Sequence, residues 1–456
     1  MHYWHTFHPS SFASALAAKW PDNERFENVQ VLTETNKSQC TFVAERHFGA
    51  SPKDRRNAAR RTRSFARQDN LKIEDIGFKL LIGEQSRHAE SDFIRRDADR
   101  WLTPFQQYGW RDSWQRKVGN SEGMLPITVI LTLMDRPIAM LPMAVHESQG
   151  LKVLVWHTSA QSDYCASVID RNHLNEFCEI DFENLLKLVA RRIGKIDLIY
   201  LSKQPMKIEG RRNPLLLSKG FDYHVGSHAI NFIPGETWEQ FLIRKRSPST
   251  LRQLRKKERQ LGTFGEVGFR IASTSDDARA ITEHCLSAKS RQLAKLGHGD
   301  PFSSPGVRGF LIDFIADGIG HSTWATALTL NGEMLATSVG MASQNEWLLY
   351  QMAMEGDHVS NCSPGSQLFS RIMRHCLDSR IERLDLALGD ERYKLEWCDE
   401  HETLQVSVLP LTLKGKVAAP ILRVRGRIMK FVASNPRLYE HGKALKQRMR
   451  ALGVPF

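Results

Sequence analysis

Two distant stretches of this chain read alike: VILTLMDRPIAMLPMAV (129–145) and TALTLNGEMLATSVGMA (326–342). Each carries an L-T-L run, a turn and then an alanine, Ala139 or Ala336, as a strand-turn-strand unit does. A further apolar strand follows each, LKVLVWHTSA and EWLLYQMAME. Next come an amphipathic helix (FENLLKLVARRIG, SQLFSRIMRHCLD) and a buried strand (KIDLIYLS, ERLDLALGD). Hairpin, strand, helix, strand is thus written twice, which predicts an internal duplication. The expected fold class is α/β (α+β), with two tandem modules of mixed sheet flanked by helices. The expected divisions are a basic extension over 1–94, a first module over 95–235, a second over 236–415, and a basic helical tail over 416–456. NPLLLSKGFDYHVGSHAINF (213–232) would close the first module with strands, and TPFQQYGWRDSWQRKVG (103–119) predicts a core-facing helix leading into it.

A length of 456 residues suits two or three domains. No apolar run approaches the roughly 20 residues that span a bilayer. The N-terminus has neither a basic start nor a continuous apolar core, so a cytoplasmic protein is expected. Seven cysteines without paired spacing fit a reducing compartment, and the absence of C-x-x-C and H-E-x-x-H leaves no metal expected. The formal charge of +12 favours acidic partners: nucleic acid, a membrane surface or a phosphorylated small molecule. Three segments concentrate it. KDRRNAARRTRSFARQ (53–68) reads as a solvated basic segment or a polyanion contact. SPSTLRQLRKKERQLG (247–262) reads as a helix capped at Ser247, begun by Pro248 and stopped at Gly262, with one glutamate among many cations. The tail (423–453) is basic and intermittently amphipathic, which suits a packed helix, a membrane-surface contact or an oligomer arm.

The most suggestive local feature is NCSPGSQLFSRI (361–372). Leu368, Phe369, Ile372, Met373, Cys376 and Leu377 form one apolar helix face, so Ser363 is the natural N-cap and Pro364 the first helical residue. The first-turn N–H groups of Gly365, Ser366 and Gln367 then lack partners at the positive end of the helix dipole, a setting that suits phosphate. The preceding strand carries Tyr350 and Gln351 at its middle. The following strand contains Asp385, a carboxylate that needs partners when buried. Tyr393, Lys394 and Trp397 cluster beyond it at the strands' C-terminal edge, where open α/β sheets place ligands. Lys394 either meets phosphate or pairs with Asp385, and the pair would account for a carboxylate in that strand.

The strand with Tyr350, then Asp357, SPGSQL and RLDLALGDERYKLEW, resembles the cellulose-biosynthesis-type acetyltransferases of the GNAT superfamily. TPFQQYGWRDSW and RQLRKKERQLG resemble that family's other landmarks, and the resemblance runs over about 95–415. Its most specific part joins S-P-G to D-x-x-x-G-D-x-x-Y-K-x-x-W, from Asp385 to Trp397. It implies a tandem GNAT fold whose second copy is the better formed, with acetyl-CoA or another acyl-CoA as donor and its pyrophosphate on Gly365, Ser366 and Gln367, with Ser363 and Lys394 beside them. The implied mechanism is direct attack in a ternary complex, with strand 346–354, Tyr350 included, polarising the thioester and Tyr393 protonating the CoA sulfur. Glu391, Asp390 and His358 are the candidate bases, and Asp357, Gln351, Asp385 and Trp397 are candidates for holding the acceptor, an unidentified amine or hydroxyl, with a saccharide among those the resemblance implies. Two competing readings are an aminoacyl-tRNA-dependent transferase of the peptidoglycan-bridge type and a non-catalytic nucleic-acid-binding protein on a decayed GNAT scaffold.

Overall fold

The computed structural model describes residues 76–86, 93 and 99–435, apart from 149, 298, 344 and 356, together with a short strand at Leu32–Glu34. The basic run at 53–68 and the tail beyond 435 lie outside the described residues. The first half runs β1 (Ile76–Ile82), α1 (Tyr108–Trp114), β2 (Leu125–Leu133), β3 (Arg136–Ser148), β4 (Leu151–Trp156), α2 (Leu174–Cys178), α3 (Phe182–Ile193), β5 (Leu198–Gln204) and β6 (Gly220–Asn231). The second half opens with α4 (Trp238–Lys245), α5 (Pro248–Gly262), β7 (Val267–Ile271), α6 (Ser275–Lys295) and α7 (Pro305–Asp317). It continues through β8 (Thr323–Leu330), β9 (Glu333–Ala342), β10 (Glu346–Met354), α8 (Pro364–Asp378), β11 (Arg383–Leu388), α9 (Arg392–Trp397), β12 (Glu400–Pro410) and α10 (Leu413–Ala433). Among the described residues no helix is long and apolar enough to cross a membrane.

The duplicated sequence folds in duplicate. Both hairpins turn through two residues of positive φ, Met134–Asp135 and Asn331–Gly332, the geometry that matches strand twist. Ala139 pairs with Leu131 and Ala336 with Leu328, and each hairpin carries a register shift one residue further on. In both halves the fourth and fifth strands, joined by a crossover helix, pair in parallel: β4 with β5 and β10 with β11.

The sixth strands depart from the sequence reading. β6 does not close its own module; it pairs with β11 and β12, while β12 pairs with β5 of the first module. The modules thus exchange their last strands, and the sheet runs β1-β2-β3-β4-β5-β12-β6-β11-β10-β9-β8-β7. Each fifth strand would otherwise present a row of unpaired backbone groups, and the exchange covers both.

A second crossing involves α1. Its aromatic face is buried, as its spacing suggests, but against the second module: Trp110 lies 4.6 Å from Phe310 and 5.0 Å from Phe314 of α7, edge to face. Phe105, Trp110 and Trp114 belong to the same core cluster as α6, α7 and β8–β10. Burying aromatics of this size contributes on the order of 2–3 kcal/mol each, so the seam is a core and not a loose contact.

Candidate active site

β10 and β11 pair over only three positions, Glu346–Arg383, Trp347–Leu384 and Leu348–Asp385, and then diverge. Where they part, β10 bulges: Val339 faces Gln351 and Gly340 faces Leu349, leaving Tyr350 as the extra residue. Gly340 permits the close approach, because a Cβ there would run into the Leu348 carbonyl oxygen. A cavity of about 240 Å³ occupies the opening, lined by Leu349, Tyr350, Gln351 and Met352 of β10 and by Leu388 at the end of β11.

Both modules supply its charged walls. Glu391, Tyr393 and Lys394 come from the start of α9 and Lys289 from α6, while Asp163 and Lys203 come from the first module. Lys394 Nζ donates to the Leu388 carbonyl oxygen (2.6 Å) and lies 3.1 Å from Glu391. Lys203 Nζ donates to the carbonyls of Ser159 and Ser162, fixing the loop that presents Asp163. Burial pushes the Asp163 carboxyl up to about 6 against the pull of Lys203 and Lys394. Burial also lowers Lys289 to about 8. Burial, with the charge of Glu391, holds the Tyr393 phenol well above its ordinary value, so it keeps its proton near neutrality.

Of the residues singled out from sequence, the fold gathers Tyr350, Gln351, Glu391, Tyr393 and Lys394 around one cavity. Tyr350 is tied to the seam, its hydroxyl donating to the Gln161 carbonyl at 2.8 Å. Asp385 is elsewhere. It accepts from the Tyr164 hydroxyl (2.7 Å) and the Ala387 N–H (2.6 Å) and pairs with Arg383 (3.0 Å). The Lys394–Asp385 pair therefore does not form, because Arg383 and Tyr164 already satisfy that carboxylate. Trp397 is buried, stacked with Phe241 and covered by the Arg246 guanidinium 4.3 Å from its ring. Asp357 begins a short 3-10 turn, Asp357–Cys362, and His358 is exposed on it. Asp390 faces away from the cavity: its Oδ1 accepts from His228 Nε2 (3.0 Å) and the Gly226 N–H (3.3 Å). With His401 these two residues form a group that could offer metal ligands, although the His228–Asp390 hydrogen bond already accounts for their approach.

Ser363, Gly365, Ser366 and Gln367 lie at the start of α8, beyond the end of β10 and outside the cavity lining. Ser363 holds the N-cap position and Pro364 opens the helix as expected, but the Ser363 side chain does not cap it. Its backbone is left-handed (φ 53°), its side chain makes no cap bond, and its Oγ accepts from Lys257 Nζ at 2.7 Å. The basic helix α5, capped by Ser247 as its sequence suggests, thus packs against this helix start. Gln367 Nε2 reaches the Leu254 carbonyl at 3.5 Å, and Arg371 pairs with Glu258. Gly365 is buried beside the Met354 thioether, whereas Ser366 is exposed. The first turn holds no acidic residue, so the dipole and Lys257 place positive potential together.

Residues 248–395 match the family model described as acetyltransferase (GNAT) domain. The second module is a GNAT-type acyltransferase domain. No curated protein matches the chain. Among solved structures, FemX covers 72% of this chain and 97% of its own at 8% identity and a TM-score of 0.47. A C-terminal domain assigned to a lysylphosphatidylglycerol synthetase of Agrobacterium fabrum covers 73% and 94% at 12% identity and 0.43. A tandem GNAT protein from the clavulanic acid biosynthesis pathway covers 74% and 99% at 7% identity and 0.40. Likenesses this distant carry no weight for activity, and the assignment of the GNAT module rests on the family match.

Sequence reasoning missed Asp163, Lys203 and Lys289. Asp163 sits in QSDYCAS, which has no periodicity or motif, and reaches the Leu388 N–H across 225 positions of chain (3.4 Å). Lys289 was one cation on a mixed helix face until the fold placed its Nζ 3.3 Å from the Met352 carbonyl.

Proposed function

We propose that the GNAT module transfers an acyl group, acetyl in the first instance, from CoA to an amine or hydroxyl held in the cavity between the modules. The reading rests above all on the cavity opening where β10 bulges and parts from β11, with Tyr393 and Asp163 both on its wall. The Gln367 N–H, expected to lack a partner, donates to the Ser363 carbonyl oxygen at 3.1 Å, so the pyrophosphate would lie against the first turn of α8 with Gly365 and Ser366 supplying N–H groups and Lys257 a charge. The pantetheine arm would follow β10 into the opening, where bulge amides could meet the thioester oxygen. Asp163 would take the proton from the acceptor as its nitrogen or oxygen attacks the acyl carbon. The C–S bond then breaks, and Tyr393 would give its proton to the departing thiolate. A carboxyl held at about 6 is matched to that task near neutral pH, whereas Glu391 is engaged with Lys394. The resemblance to cellulose-biosynthesis-type acetyltransferases makes saccharide hydroxyls and amines the first acceptors to assay. The test is thiol release from acetyl-CoA across a panel of sugars, amines and peptides, beside calorimetric titration of CoA and binding of tRNA. Acceptor-dependent thiol release is expected. Failure to bind CoA, with tight salt-sensitive tRNA binding instead, would replace this reading by an aminoacyl-tRNA-dependent one.

A further inference from the structure

The last described helix, α10, packs on β6 and β12 through one narrow face. Gly415 and Ala419 are buried in it, and Gly426 lies against the Phe221 ring, where a Cβ would collide. Among the described residues nothing covers the opposite face. Leu413, Val417, Ile421, Val424, Ile428 and Phe431 are 80%, 67%, 49%, 54%, 56% and 61% exposed. At 3.6 residues per turn these six fall within about 80° of arc, forming one continuous apolar row along the whole helix. Scattered exposed apolar side chains are ordinary, but a contiguous row of this kind marks a surface that meets something.

Charge indicates what it meets. The sequence of α10, LKGKVAAPILRVRGRIMKFVA, contains six cations and no Asp or Glu. On the helical wheel Lys414 and Arg425 flank the apolar row on one side, and Lys416 and Arg427 on the other. Lys414, Lys416 and Arg427 are exposed, while Lys430 is held by Asp222 on β6. A second copy of the same helix laid on this row would bring cations against cations with no acid to offset them. An anionic lipid surface satisfies both parts: the row enters the acyl boundary and the flanking cations meet the head groups.

We infer that α10 is an interfacial helix that seats the protein on anionic membranes, with the row from Leu413 to Phe431 facing the lipid. The anchor is independent of the transfer chemistry and is read without donor or acceptor.

The experiment is sedimentation of the full chain with phosphatidylcholine vesicles, with and without phosphatidylglycerol, at low and physiological salt. Binding is expected only where phosphatidylglycerol is present, and it should weaken as salt rises. The double variant Val424→Asp/Ile428→Asp should abolish it while leaving the circular dichroism melt unchanged, since both side chains face solvent. Should that variant fail to fold, Lys414→Glu/Lys416→Glu/Arg427→Glu provides the second reading and should lower binding about a hundredfold, at about 1 kcal/mol per cation. Absence of wild-type binding, or equal binding by the folded variants, overturns the inference. So does a wild-type dimer in sedimentation velocity that the Asp variant renders monomeric, which would make the row a contact between copies.

Discussion

At equivalent places in the two modules a helix begins the crossover between parallel strands, and the two beginnings differ. In the first module Asp181 caps α3, its carboxylate accepting from the Asn184 N–H at 3.2 Å, and Glu183 stands in the first turn. In the second, α8 has no side-chain cap and no acid in its first turn, and Lys257 stands beside it. One helix start has filled its own positive end with protein carboxylates, while the other has none in its cap or first turn. The strands differ in the same sense. β3 and β4 pair without a register shift from Met143–Trp156 to Ser148–Leu151, whereas β10 bulges at Tyr350. Duplication therefore preserved the frame in both halves, with the bulged strand and the acid-free helix start in one. The first module still contributes to the proposed chemistry, through Asp163 and the loop that Lys203 holds.

Four measurements break or sharpen this contrast. The largest effect is expected from Asp163→Asn, which should lower the rate of acyl transfer by about 10²–10⁴-fold if the first module supplies the base. The wild-type rate should also fall as pH drops through about 6, where the raised carboxyl takes up its proton, and this limb should vanish in the variant. Stability has the opposite sign at this residue. The folded state binds the proton more readily than the unfolded chain, so acidification from about 6 toward the ordinary value of 3.8 favours folding. An unchanged pH profile would reduce the first module to a scaffold.

Tyr393→Phe should come next, lowering turnover by about 10²-fold while calorimetric affinity for CoA stays near wild type. Equal loss of both would assign the tyrosine to packing against Phe369, whose ring lies 5.2 Å away edge to face. Ser366→Glu gives the second helix start the acidic character of the first. It should weaken CoA binding by about tenfold or more and leave the melt unchanged or slightly raised, because an acid there suits the dipole. The smallest effect is the reciprocal one. Asp181→Ala should cost about 1 kcal/mol in chemical denaturation by removing a cap, with acyl transfer unaffected. If Asp181→Ala lowered transfer as strongly as Ser366→Glu, the two helix starts would not differ in role.

The sequence alone carried the repeated frame, because a hairpin, a crossover helix and a buried strand each rest on local periodicity and turn chemistry. It also carried the start of α9, where Glu391, Tyr393 and Lys394 lie close together in the chain. It placed Ser363 at the N-cap and Pro364 at the first helical position, but not the Ser363 hydroxyl, which makes no cap bond and accepts from Lys257 on another helix. Only the tertiary structure decided that the sixth strands cross between modules, that α1 buries its tryptophans in the opposite half, and that Asp163 reaches the end of β11. These depend on which edges and faces remain unsatisfied once each half has folded, and contacts across two hundred residues leave no period in the chain to read.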